Sequence, residues 1–111
     1  MAMDPSGFSI STSDLDGRAV VVVRGELDLA TAPDLEEVVS ERLDAGQEVV
    51  VDLRELEFMD SSGLRVLVVA HSRVMDTGGR FAIVRPPVGG EVAKIMSIAG
   101  IDLELELIDE P

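Results

Sequence analysis

The chain has 111 residues, 22 acidic against nine basic side chains, a net charge of -13 at pH 7 and no cysteine. That length allows one domain that buries roughly two-thirds of the surface its unfolded form exposes, and charge of that sign repels phosphate backbones and anionic lipid, which excludes nucleic acid and membrane surfaces as partners. Disulfides, thiolate nucleophiles and cysteine-ligated metals are ruled out, and His71, the sole histidine, cannot build a multi-histidine centre. Apolar residues make up 46% of the chain but the only aromatics are three Phe, so the core must be β-branched strands under aliphatic helices. Residues 1–7 (MAMDPSG) read as a disordered lead-in. The longest apolar runs, such as AVVVV at 19–23, are far too short to span a bilayer, and no basic-then-apolar leader precedes them. A cytoplasmic protein is expected.

In chain order, residues 8–13 alternate apolar and polar, DLDG at 14–17 is turn material and 18–24 is a continuous β-branched run, so a hairpin opens the domain. Thr31 is placed to cap a helix with Pro33 and Asp34 in its first turn. Leu35, Val38, Val39 and Leu43 give that helix its apolar stripe, Glu36, Glu37, Glu41 and Asp44 its solvated face, and Gly46 its end. Residues 48–53 read as a central parallel strand buried on both faces. A second long helix spans 61–77 and stops at Gly78 and Gly79. A strand at 80–85, a short helix at about 88–99 and a last strand at 102–108 follow. That last strand should carry Leu103, Leu105 and Leu107 on one face, Glu104 and Glu106 on the other, and lie at a sheet edge. The order β-β-α-β-α-β-α-β predicts an α/β domain over residues 8–111: a mixed, mostly parallel sheet after an antiparallel hairpin, with helices packed against it.

The stretch EFMDSSGLRVL at 57–67 raises the question of what its serines do. A nucleophile elbow would need glycine two residues before the serine, where Met59 or Asp60 stands. His71 lies ten positions along the same helix, about 15 Å from Ser61, whereas a base must come within about 3 Å. Asp60, Ser61 and Ser62 are all good N-cap residues, and a helix needs only one. At 100° per residue, Val66, Ala70, Val74, Leu67, His71, Leu64, Met75 and Val68 form the arc expected to face the core, which makes His71 a half-buried structural residue. Ser61, Ser62, Arg65, Ser72, Arg73 and Asp76 form the opposite arc, with Val69 set among them.

Three stretches, VVVRGELDLATAPDLEEVV (21–39), VVVDLRELEFMDSSGLRVLVVAHSRV (49–74) and VAKIMSIAGID (92–102), together resemble the bacterial anti-sigma factor antagonists, whose fold is the STAS domain. The resemblance runs from about residue 8 to 109. It rests on G-E-L-D at the end of the second strand combined with F-M-D-S-S-G-L at the start of the second long helix.

The resemblance implies a non-enzymatic partner-switching protein in a stress-response type of transcriptional control, with no catalytic residue, cofactor or metal. Unmodified, such a protein binds an anti-sigma factor with serine kinase activity and frees a sigma factor. The kinase phosphorylates the serine after the motif aspartate, here Ser61, the complex dissociates, and a serine phosphatase resets it. Asp28, Asp60, Ser62, Gly63, Arg65 and Val69 are the expected partner-binding residues, and the free protein is expected to be monomeric. Members of the family usually continue into a final helix past the last strand; this sequence stops at Pro111, so a face covered there is expected to be bare or differently covered. Two alternatives remain: a STAS module acting as a scaffold in a larger signalling complex, and a receiver-like domain phosphorylated on Asp52, which would need a lysine after the last strand although the only lysine is Lys94.

Overall fold

The computed structural model describes residues 7–111; the lead-in expected over 1–7 lies outside the described residues apart from Gly7. The alternating and β-branched runs form the expected hairpin, β1 (Ser9–Leu15) antiparallel to β2 (Arg18–Leu27) with Ser9 opposite Arg24 and Leu15 opposite Arg18. Asp16 (φ 52) and Gly17 (φ 84) make the two-residue turn, both in the left-handed region that matches the twist of a tight hairpin. Then come α1 (Ala32–Asp44), β3 (Val49–Asp52), β4 (Leu56–Met59), α2 (Ser61–Thr77), β5 (Phe81–Val84), α3 (Glu91–Ile98), a 3-10 turn (Ile101–Leu103) and β6 (Glu106–Ile108). The sheet order is β1-β2-β3-β5-β6. Every pairing after the hairpin is parallel, as helical crossovers require. β2 is long enough to serve two parallel partners, its residues 19–22 pairing with β3 and its residues 25–27 with β4.

The strands' two-residue period divides the core. Val21, Val23, Val49, Val51, Phe81 and Ile83 face the helices and join Leu35, Val39, Leu67, Val74, Val92 and Met96 in one buried cluster. The alternate residues Val50, Ala82 and Val84 form a smaller cluster with Ile108 on the second face. All four β3 residues are buried, as a central strand should be. Residues of the second-face parity frame the small cluster with charge pairs: Arg80 with Glu106 and with Glu48 (3.6 Å) at one end, Arg24 with Glu55 (2.9 Å) and Arg54 with Asp52 (2.7 Å) at the other.

The fold class is as expected, with four differences of detail. β4 was absent from the expected order, because its pattern LEFM does not alternate clearly and it becomes a strand by borrowing the edge of β2. The last strand shrinks to three residues: the Ile101 carbonyl accepts N–H groups from Glu104 (3.0 Å) and Leu105 (3.1 Å), which coils 101–105 and leaves Leu103 89% exposed rather than on a shared apolar face with Leu105 and Leu107. α3 starts at Glu91 rather than about 88, because Pro87 and Gly90 close a turn first. Met75, assigned to the core arc of α2, is exposed. β6 does lie at a sheet edge, and among the described residues no helix is long and apolar enough to cross a membrane.

The Asp52 pair sets an acid limit on stability. Burial pushes the Asp52 carboxyl up, but the Arg54 side chain and backbone N–H, with the charges of Arg54 and Arg24, together hold it below its ordinary value. A depressed folded-state carboxyl stabilises fully above the unfolded value of about 3.9, and the contribution disappears as pH falls through the folded value. Asp52→Asn should therefore flatten the loss of stability below about pH 4, read as denaturant midpoints across an acid series. An unchanged acid slope would assign that slope to other carboxylates.

Candidate functional site

The site lies at the carboxyl ends of β2 and β4. Their register puts Leu27 beside Met59, and Asp60 N–H donates to the Leu27 carbonyl at 3.1 Å. Asp28 and Asp60, the next residue on each strand, are thus brought side by side from 32 positions apart.

Asp60 is the N-cap of α2, extended at φ -107 and ψ -171, and its Oδ1 accepts the Ser62 N–H at 2.8 Å. Its carbonyl accepts the Leu64 N–H at 3.1 Å. Three residues could have capped; the aspartate does it, because its carboxylate reaches the N–H two residues on and suits the positive helix end. Ser61, the first helical residue, is left exposed, and its hydroxyl makes no hydrogen bond to a described side chain or backbone group. At the far end Gly78 adopts φ 82 and donates its N–H to Val74, ending the helix as its sequence promised.

The Asp28 turn is built differently from the expectation. Thr31 occupies the N-cap position of α1 but its side chain caps nothing. Its buried hydroxyl instead donates to the Glu26 carbonyl at 2.8 Å and accepts the Asp28 N–H at 2.9 Å. Asp28 closes the turn ahead of α1: Oδ1 accepts N–H groups from Ala30 (3.0 Å) and Thr31 (3.2 Å), and its carbonyl accepts that of Ala32, the first helical residue (2.7 Å). Asp28 is therefore fixed as a local structural residue at the edge of the Ser61 surface, half-buried.

Between the two helix starts lies a cleft of about 150 Å3 lined by Leu29, Pro33, Glu36, Ser62, Arg65 and Val66. It continues along the helices to a smaller hollow bounded by Ser40, Val69, Ala70 and Arg73, where Arg73 pairs with Asp44. Leu29 is 79% and Val69 52% exposed, so an apolar stripe runs through a polar surface. Leu29 was not among the sequence candidates. The available signal was an apolar residue inside a turn, DLAT, where nothing local needs one. Gly63 takes no place on this face: it is buried, and a Cβ there would meet Leu27 Cγ and Met59 Cγ at 2.8 Å. It lets the start of α2 sit close against the ends of β2 and β4.

His71 is half-buried, ten residues from Ser61 along α2. Asp52 is buried and gripped by Arg54. Among the described residues no cluster of three metal-ligating side chains occurs.

A family model described as the STAS domain matches residues 9–110. The chain is 35% identical over 71 residues to the anti-sigma-F factor antagonist RsfB of Mycobacterium tuberculosis, an alignment spanning 63% of this chain and 58% of that protein. It is 41% identical over 62 residues to an anti-sigma-B factor antagonist of Staphylococcus aureus, spanning 55% and 57%. The chain thus spans somewhat under three-fifths of the length of these curated relatives. The crystal structure of an anti-sigma factor antagonist from Mycobacterium paratuberculosis superposes with a TM-score of 0.85 at 27% identity, covering 98% of this chain and 92% of that one.

Proposed function

The chain belongs to the STAS domain family, and from that premise we propose that it is an anti-sigma factor antagonist, a non-enzymatic protein, monomeric when free, that binds an anti-sigma factor with serine kinase activity and is released by phosphorylation of Ser61. Ser61 takes the phosphoryl group and a serine phosphatase removes it. The partner covers the start of α2, the Asp28 turn and the stripe formed by Leu29, Ser62, Arg65 and Val69. One observation carries this reading: Asp60 caps α2 by itself, which leaves the adjacent Ser61 hydroxyl exposed and without a structural partner among the described residues.

The chemistry of that position suits a reversible charge. A phosphoserine carries about -1.5 to -2 at pH 7. At a helix start it meets unpaired N–H groups and the dipole, which favour an anion by roughly 0.3 to 1 kcal/mol. The Asp60 carboxylate already takes the Ser62 N–H, and beyond it no acidic side chain stands in the first turn of α2. The domain keeps its fold while the surface gains negative charge and hydration.

The direct test is a pull-down from source-cell lysate with and without ATP, followed by phosphosite mapping. The expected result is retention of an anti-sigma factor without ATP, and its loss with ATP as acid-stable phosphate appears on Ser61. Phosphate that is lost on hydroxylamine treatment would move the site to an aspartate and remove the proposal. The docking surface has its own test. Leu29→Asp and Val69→Asp should change folding stability by no more than about 0.5 kcal/mol, as exposed positions do, yet weaken partner binding at least about tenfold, or about 1.4 kcal/mol. Thermal melts and calorimetry read the two effects separately.

A further inference from the structure

Beyond the Ser61 surface, a cavity of about 460 Å3 opens where the chain leaves β5, between residues 85–89, α3 and β6. Its walls include Pro86, Val88, Met96 and Leu107, and Lys94 and Ser97 stand on α3 beside them. We propose that this cavity is a binding site for a small aliphatic monocarboxylate, with the apolar body along Val88, Met96 and Leu107 and the carboxylate at Lys94.

Size and composition point to a small molecule, since ligand sites are usually apolar hollows of roughly 300 to 1,000 Å3 with few polar groups. Position agrees, because open α/β sheets take ligands in the crevice outside the carboxyl ends of their strands, and the cavity sits past the end of β5. Val88 is 96% exposed, a β-branched apolar side chain held in water at the cavity wall, where an apolar guest would cover it.

Charge decides the class of guest. Lys94 is the only lysine in a chain of net charge -13, yet among the described residues it makes no ion pair with a carboxylate. Glu91, three residues earlier on α3 at a spacing where helical neighbours can pair, leaves it alone. The second cation at the cavity is spoken for: Arg85 Nε donates to Asp109 Oδ1 at 2.7 Å and its Nη2 to the Leu107 carbonyl at 3.3 Å. One available cation beside one tethered to a carboxylate matches a single negative charge. A phosphate dianion would bring a second charge with nothing to meet it, in the field of a strongly acidic protein.

The test is titration of the 15N-labelled chain with octanoate, kept below its micelle-forming concentration, with octanol and inorganic phosphate as parallel arms. Octanoate should shift the amides of Val88, Ala93, Lys94, Ser97 and Leu107 saturably. Octanol should bind more weakly at the same amides, and phosphate should leave them unmoved. Lys94→Glu, at an exposed position, should weaken octanoate at least tenfold and leave octanol unchanged; Val88→Asp should weaken both. Shifts spread over other exposed apolar residues such as Leu29, Val69 and Leu103, or a Lys94→Glu variant that binds octanoate as well as the parent, would overturn the assignment, as would saturable phosphate binding without octanoate binding.

Discussion

Ser61→Asp should fold as the parent does and bind the anti-sigma factor about thirtyfold more weakly, while authentic phosphoserine weakens it by two to three orders of magnitude. A partner carboxylate about 8 Å from the new charge is repelled by about 2 kcal/mol at an effective dielectric near 20, and every 1.4 kcal/mol is tenfold in affinity. Aspartate supplies one unit of charge and the phosphoryl group up to two. Covering the ion adds a desolvation cost that an unpaired charge cannot recover. Neighbouring groups sharpen the effect, since Asp60 caps from the preceding residue and Asp28 stands on the adjacent strand end, while Arg65, one turn along the same face of α2, offsets part of the new charge. The exposed position of Ser61 and the anion-tolerant helix start keep the monomer intact. Ser61→Ala should bind normally and resist release by ATP. Calorimetry with the purified partner, alongside thermal melts, checks both variants; equal affinity of parent and Ser61→Asp, or a phosphorylated form that unfolds, would end the proposal.

Gly25→Ala should cost the domain about 3 kcal/mol, combining backbone strain with overpacking. Gly25 has φ 88, where a side chain is strained, and a Cβ there would lie 2.8 Å from the Gly7 carbonyl oxygen and 2.9 Å from Phe8 Cα. These are backbone atoms that cannot swing aside. The site is also where the pairing of β2 with β4 shifts register, between Gly25 and Glu26, so displacement there is passed to Leu27 and Asp28. Gly17 provides the control: its φ is 84 but a Cβ would meet nothing within 4 Å, so Gly17→Ala should cost only the strain, about 1 kcal/mol. Urea denaturation of the two variants separates strain from collision. Equal midpoints would mean that the close approach of Gly7 and Phe8 carries no energy. The glycine of the GELD motif thus serves the backbone, and any effect of its substitution on partner binding comes through the Asp28 turn.

What the amino-acid order determined by itself was most of what has a short-range cause, though not the Thr31 hydroxyl, which bonds the Asp28 N–H and Glu26 carbonyl a few residues back, or the turns at 87–90 and 101–105. The hairpin follows from alternation and a two-residue turn that accepts left-handed backbone at Asp16 and Gly17; the limits of α2, Ser61 to Thr77, follow from a capping carboxylate and a left-handed glycine. The paired motifs around Asp28 and Asp60 also stand in the sequence, together with the exposed Val69 on its polar arc. Tertiary structure alone decided the rest. LEFM became a strand because residues 25–27 of β2 offered it a parallel partner, and that pairing is what sets Asp28 beside Asp60. Gly63 proved to be a packing residue because Leu27 and Met59 arrive beneath it, and Leu29 joined the site because two helix starts converge around it. Periodicity, caps and turns act over a few residues and can be read along a chain, whereas strand pairing and the shape of a cleft depend on which distant atoms the fold brings together.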